Sequence, residues 1–272
     1  MLRGLSVLFV AGLFFIRLTP AFADWEVGTK VGFDSNVNQS TDQGQSDTFL
    51  AGYAAYFRVP TNETRYDWTF SAIVEGAAYA RTTDLSYSGI VLEPGIVLIP
   101  HRTWTVSLSP FLQVKTVKDE DQSALAFGGK VNLEEQLRSD LYMGQYYIYT
   151  DSRADVDTFS FTEHAVGAYL GLEWTKGFRN RIGYEYSRGD SFRTVGTSSI
   201  TATGHGKHRR FSTAFDEDVF RERVHRHSVS VSAGVDWNTR LFSQAGYTFT
   251  VTEGDLGSSN SHGGFLGLGY RF

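Results

Sequence analysis

The chain has 272 residues, including 28 Gly, 21 Phe, 14 Tyr and 5 Trp but only 5 Pro and 2 Met. Cysteine is absent, which excludes a disulfide framework, a thiolate metal site and a Cys nucleophile. A formal net charge of −5 argues against a nucleic-acid partner, and the aromatic content excludes a disordered or collagen-like chain.

Residues 1–23 read as a cleaved signal peptide. Arg3 gives a positive start, Leu5 to Ile16 form an apolar run too short to span a bilayer, and Pro20 breaks it. Ala21-Phe22-Ala23 then supplies a small-x-small cleavage site before Asp24. A membrane anchor is the alternative, but Arg17 interrupts the run and no stop-transfer pattern follows. The remainder, 24–272, is expected to be one domain. The lost segment holds Arg3 and Arg17 and no acid, so the exported chain is more acidic still.

From Trp25 onward apolar residues recur at every second position. Trp25, Val27, Val31 and Phe33 alternate with Glu26, Lys30 and Asp34. Phe49, Ala51, Tyr53, Ala55, Phe57 and Val59 repeat the period, as do Tyr66, Trp68, Phe70, Ala72 and Val74 opposite Asp67 and Glu75. Such half-apolar runs are strands with one oily face. Twelve are expected, at 25–37, 47–59, 66–81, 87–99, 103–117, 124–137, 140–151, 159–174, 180–188, 225–237, 241–252 and 264–272. The run at 140–151 is apolar on both faces, and Pro94 suggests a bulge within 87–99.

The gaps alternate in length. Long polar segments at 38–46, 82–86, 118–123, 152–158, 189–224 and 253–263 take turns with short ones at 60–65, 100–102, 138–139, 175–179 and 238–240. All five tryptophans fall near the short-turn side, where an interfacial ring is most stable. A soluble sandwich also alternates but has no reason to sort loops by rim. The pattern therefore predicts an all-β fold, a single transmembrane antiparallel β-barrel of twelve strands.

The final residues, Gly264-Phe265-Leu266-Gly267-Leu268-Gly269-Tyr270-Arg271-Phe272, resemble the terminal strand of bacterial outer-membrane β-barrel proteins. The Asp34-Ser35-Asn36-Val37 string is similar to one in porin-like barrels and in the barrel half of surface-lipoprotein assembly modifiers. The resemblance implies a Gram-negative outer membrane, a periplasmic N-terminus, extracellular long loops and capture of Phe272 by the barrel-assembly machinery. Asp34-Ser35-Asn36-Val37-Asn38 also looks like the start of a calcium loop. Gln39 and Gln45 replace the needed Gly and Glu, so it is read as an Asx turn.

With the oily face outward, the lumen is expected to hold Glu26, Lys30, Arg58, Asp67, Glu75, Arg81, Glu93, Lys115, Lys130, Glu134, Glu163, Glu173, Arg181, Glu185, Asp236 and Arg271. Lys30, Glu75, Glu93, Lys115 and Lys130 are candidates for a constriction that sorts polar solutes. The alternative is that these charges cross-link the strands and close the lumen. In the longest loop, Lys207, Arg209, Arg210, Arg221, Arg223 and Arg226 are candidates to meet lipopolysaccharide phosphates. Phe211, Phe215, Val219 and Val224 have helical spacing, with Thr213 and Asp216 as a capping box, and suggest a short helix over or into the pore, with a solvated variable loop as the alternative. The histidines there lack zinc-site spacing, so neither metal nor cofactor is expected. Three functions remain open: a passive channel for small polar or charged solutes, a closed barrel that contacts lipopolysaccharide or a partner protein, and a lipid- or peptide-processing enzyme. For the last, His227 beside Ser228 is no dyad, since adjacent strand residues face opposite ways. Asp155, Asp157, His164 and Asp190 are placed for an enzyme by location alone.

Overall fold

The computed structural model describes residues 25–42, 44–58, 60, 65–175, 177–195 and 209–272. The expected leader, 1–23, lies outside them. The strands are β1 (Trp25–Asp34), β2 (Asp47–Arg58), β3 (Tyr66–Tyr79), β4 (Tyr87–His101), β5 (Trp104–Val117), β6 (Ala124–Arg138) and β7 (Leu141–Ala154). They continue with β8 (Phe161–Thr175), β9 (Phe178–Val195), β10 (Arg209–Ser212), β11 (Glu217–Asp236), β12 (Leu241–Gly254) and β13 (Gly257–Arg271). Sequence neighbours pair antiparallel except β9 and β10; β9 instead pairs with β11, and β1 pairs with β13. The result is a closed twelve-stranded barrel, with β10 as a short flap on β11. Closure leaves no bare edge, as a wall surrounded by hydrocarbon requires.

The outer surface carries exposed Val31, Leu50, Val74, Ile90, Leu108, Val131, Leu170, Ile182, Val231 and Leu266, a belt that runs around the barrel. A water-soluble protein does not expose apolar surface on this scale, and a bilayer covers it. Trp25, Trp68, Trp174 and Trp237 are exposed at the short-turn end of this belt, as the girdle reading expects.

Three expectations about orientation and regularity change. In β2, Phe49, Ala51, Tyr53 and Ala55 face inward. They stand opposite Gly32, Lys30, Gly28 and Glu26 of β1, while Leu50 and Tyr56 face out. Both faces of β2 are apolar, so period two alone does not say which is outside. It follows that Arg58 lies on the outer surface, its guanidinium 3.5 Å from the Trp68 ring centroid, and not in the lumen. Pro94 causes no bulge. The β4–β5 register is the same on both sides of it, with Leu92 opposite Leu112 and Ile96 opposite Leu108. Pro94 thus stands on the same row as Pro110, so the missing donors coincide, and the irregularity falls between Leu98 and His101 instead.

The glycines are explained by the inward aromatics. A methyl group on Gly144 would lie 2.2 Å from the Tyr169 ring, and one on Gly167 would lie 2.3 Å from Tyr146. Tyr53, Phe49, Tyr142, Phe242 and Phe265 cover Gly28, Gly32, Gly171, Gly269 and Gly246 in the same way. The rings pack over these glycines, against the inner face of the wall.

Candidate functional site

The lumen is lined by charges that meet across strands. At the short-turn end, Glu26 accepts from Arg271 at 3.3 Å, Arg271 reaches Asp236 at 3.0 Å, and Asp236 accepts from Arg179 at 3.0 Å. Tyr53 donates its hydroxyl to Glu26 at 2.6 Å. Further up, the Lys30 ammonium stands 5.2 Å from the ring centroids of both Tyr53 and Phe265, and Lys115 stands 4.3 Å from that of Tyr87. Glu75 lies within electrostatic reach of both lysines, and Lys130 within reach of Glu93 and Arg181. The five constriction candidates all face inward and gather as two groups, Lys30–Glu75–Lys115 and Glu93–Lys130. Higher still, Arg226 pairs with Glu163 at 2.9 Å and donates to Ser191 at 2.7 Å. Buried charges persist when paired in this manner.

On β11 to β13, between Arg226 at one level and Asp236 and Arg271 at the other, the lining is neutral. Ser228, Ser230 and Ser232 of β11 stand beside Thr250, Thr248 and Gly246 of β12, and Ser259 and Ser261 of β13 stand beside Thr252 and Thr250. This hydroxyl stripe escaped the sequence, because serine alternating with valine marks only a polar face and not a site.

The mouth at the long-loop end is covered. Val37, Phe49, Ala77, Tyr79, Leu85, Phe159, Phe192, Phe215 and Val219 form one buried apolar cluster. Its members come from β2 and β3 on one side and from β9 and β11 almost diametrically opposite. The expected short helix at 211–224 is instead a β-hairpin. β10 runs back along β11 through a turn in which Asp216 takes a φ of +54°, so the 3.6-residue spacing of the phenylalanines is accidental. The hairpin is held on three sides. Arg210 pairs with Asp121 at 2.7 Å, Arg221 with Asp157 at 2.9 Å, and Asn38 donates to Glu217 at 3.1 Å.

The calcium-like string serves this closure. Asp34 accepts from the Asn36 amide at 2.8 Å, Asn36 from Ser40 at 2.9 Å, and Asn38 from Gln45 at 2.8 Å, which folds the loop as an Asx ladder and seats Val37 in the cap.

The rim beneath is built from one repeated turn. The 3-10 segments Thr83–Leu85, Glu120–Gln122 and Asp157–Phe159 are each followed by a serine. Ser86, Ser123 and Ser160 accept through Oγ from the amides of Tyr79, Val117 and Ala154 at 3.1, 3.0 and 2.9 Å. Successive turns also hang on each other, through Asp119 N–H to Asp84 C=O at 2.8 Å and Asp155 N–H to Ser123 C=O at 2.9 Å. Asp47 anchors the first. Burial alone would raise its carboxyl, but hydrogen bonds from Thr82, Arg81 and Thr48 hold it below the ordinary aspartate range. Its stabilisation is complete above the ordinary value and is lost only as pH falls through the depressed one. Asp47→Asn is therefore expected to loosen residues 80–86 at neutral pH by about 1–3 kcal/mol. Amide hydrogen exchange of Arg81 and Thr82 checks this, and unchanged protection contradicts it.

The basic loop residues do not gather into one outward patch. Lys207 lies outside the described residues and Arg209 opens β10. Arg210 and Arg221 are committed to acids of the rim, Arg221 also to Asp190 at 2.9 Å, and Arg226 faces the lumen. Arg223 is mostly exposed, 3.6 Å from Asp190. For the enzyme reading, His227 bonds Tyr184 on the outer surface at 2.8 Å while Ser228 bonds Thr250 on the inner one at 3.0 Å. His164 bonds Tyr147 at 2.7 Å, and Asp157 and Asp190 serve Arg221.

A closed, singly wound barrel with a polar lumen, an apolar outer belt and sorted loops has the fold of outer-membrane channels. No protein-family model and no characterised protein matches the sequence. Solved structures do match in shape. An outer-membrane channel from Pseudomonas putida F1 is similar with a TM-score of 0.62 at 10% identity, covering 94% of this chain and 97% of that one. The KdgM porin, solved in complex with disordered oligogalacturonate, has a TM-score of 0.54 at 10% identity, over 91% of this chain and 99% of its own. The NanC porin has a TM-score of 0.53 at 10% identity, over 90% and 100%.

Proposed function

We propose that the protein is an outer-membrane channel for small polar or charged solutes, closed at rest by its extracellular hairpin. The observation that carries this reading is the continuous polar lining of the lumen. Ion pairs stand at Arg271–Asp236 near the short turns and at Arg226–Glu163 near the long loops, with Lys30–Glu75–Lys115 between these levels and serine and threonine hydroxyls on β11 to β13. A barrel with only a structural role has no need to keep charge in its interior, since apolar packing there is at least as stable. The porin-like fold supports the same reading.

The test is planar-bilayer recording of the mature protein with insertion verified independently. Discrete conductance steps are expected, and Glu75→Gln, which leaves Lys30 and Lys115 without their shared counter-charge, is expected to move the reversal potential in a salt gradient towards anion preference. Silence from inserted wild type and from a variant with an opened cap contradicts the channel. The second reading, a closed barrel, is favoured by the apolar cluster in the mouth, and that outcome would select it.

A further inference from the structure

Above the lipid-facing belt, one side of the barrel carries basic side chains at a single level. His164 of β8 stands opposite Arg188 of β9, and Arg188 stands opposite His225 of β11. Cross-strand neighbours on one face have Cβ atoms about 5 Å apart, so the three heads share one patch of surface. All three point outward, the face that holds Val166, Ile182 and Val229 lower on the same strands.

The imidazoles are held in place. His164 Nδ1 bonds the Tyr147 hydroxyl at 2.7 Å, with the Tyr149 ring 5.1 Å away, and His225 Nδ1 bonds the Tyr186 hydroxyl at 2.7 Å. In the tautomer where the phenol donates to Nδ1, each imidazole carries its proton on Nε2, the ring nitrogen that the tyrosine does not occupy. His227 with Tyr184 and His262 with Tyr247 repeat the pairing at 2.8 and 2.6 Å on the same half of the wall.

Arg188 is exposed and makes no ion pair among the described residues. The neighbouring charges leave it in this state. Asp190 is engaged by Arg221 and Arg223 on the level above, Asp151 by Arg153 at 3.3 Å, and Glu253 stands on the far side of His225. The patch thus offers a guanidinium fork and two imidazoles, each anchored through Nδ1 with its Nε2 unclaimed by the tyrosine, at the edge of the apolar belt, where lipid headgroups lie.

We infer that His164, Arg188 and His225 bind a phosphate of the phosphorylated glycolipid of the outer leaflet. Arg matches phosphate with two parallel bonds, and the flanking imidazoles close the remaining oxygens. The inference rests on the membrane placement of the barrel and not on whether it conducts.

Native mass spectrometry of the full mature protein in detergent, titrated with diphosphorylated lipid A, tests it. The wild type is expected to retain lipid A, and His164→Ala/Arg188→Ala/His225→Ala to lose at least tenfold in affinity while keeping the heat-modifiable mobility of a folded barrel. Should that triple variant not fold, Arg188→Gln alone is expected to lose several-fold. Arg223→Ala, whose charge sits beside Asp190, is expected to bind as wild type. Dephosphorylated lipid A is expected to bind as poorly to wild type as the intact lipid does to the triple variant. Equal retention of both lipids by wild type, or unchanged retention by a folded triple variant or by Arg188→Gln, overturns the site. Competition by millimolar inorganic phosphate alone, with no preference for the lipid, would show an anion site without lipid specificity and overturn it too.

Discussion

Phe215→Asp together with Val219→Asp is expected to turn a mostly closed barrel into a mostly open one. Phe215 and Val219 are 2% and 0% exposed within the cluster that spans the mouth. A carboxylate left there has no basic partner in the cluster, and the cheapest relief is for the hairpin to lift off the rim. If that costs about 3 kcal/mol, the ratio of covered to uncovered mouths falls roughly a hundredfold. The readout is the open fraction in single-channel recordings. Phe211→Asp is the control, since Phe211 is on the same hairpin but 53% exposed, and it is expected to behave as wild type. The ion pairs Arg210–Asp121 and Arg221–Asp157 are partly exposed, so each adds at most about 1 kcal/mol, and the apolar cluster is the dominant hold. An open fraction in the double variant equal to that of wild type would show that the cap is not what closes the mouth.

Gly144→Val is expected to cost the barrel about 1–3 kcal/mol and to narrow its lumen. A side chain at Gly144 collides with the Tyr169 ring, whose atoms would come within 2.2 Å of the new carbon. Tyr169 is not free to give way, because its hydroxyl donates to Glu134 at 3.0 Å and its ring supports the Arg181 guanidinium at 3.5 Å. Displacement therefore swings tyrosine and arginine together into the pore. Unfolding in urea should show a lower midpoint, and recordings a smaller unitary conductance. Gly144→Val/Tyr169→Ala is expected to regain much of the conductance, since the ring that obstructs the pore is gone. A single variant as stable and as conductive as wild type would mean that the rings do not lie on the wall.

Strand number, strand phase for most of the wall, most of the loop sorting and the tryptophan girdle were legible because each follows from a period-two pattern and a bilayer of fixed thickness. The long segment expected at 253–263 is instead the tight turn Asp255-Leu256 of a β12–β13 hairpin, since its serines alternate inward like the rest of that strand. The phase of β2 was not, since Leu50, Ala54 and Tyr56 are as apolar as Phe49, Ala51 and Tyr53. What places Phe49 and Tyr53 inside is the pair of glycines opposite them, Gly32 and Gly28, a relation between two strands that one strand cannot show. The lumen candidates on β1 and β3 to β6 were found for the same reason that the barrel was. A cap was expected only as a helix at 211–224; its other members were missed because Val37 and Phe159 sit at the ends of the expected strands 25–37 and 159–174 and Leu85 is a single apolar residue in a polar loop. Their common setting, a turn closed by serine at positions 86, 123 and 160, gains meaning only once the loops are seen to stack. The lengthening of β9 to Val195 and the start of β11 at Glu217 were hidden by Arg, Ser and Asp residues that suit an extended hairpin above a membrane as well as a loop.

The chain has no cysteine, so one introduced thiol reports on one place. Ser230 faces the lumen midway along the hydroxyl stripe, and its neighbour Val229 faces lipid. The most direct measurement is the rate at which a small charged, membrane-impermeant thiol reagent added outside modifies Ser230→Cys in inserted protein, with and without Phe215→Asp/Val219→Asp. A polar pore under a movable cap predicts slow modification with the cap intact, fast modification with it displaced, and no modification of Val229→Cys in either background. Failure of Ser230→Cys to react in both backgrounds, in protein that reacts fully once unfolded, would contradict a solute path through the barrel.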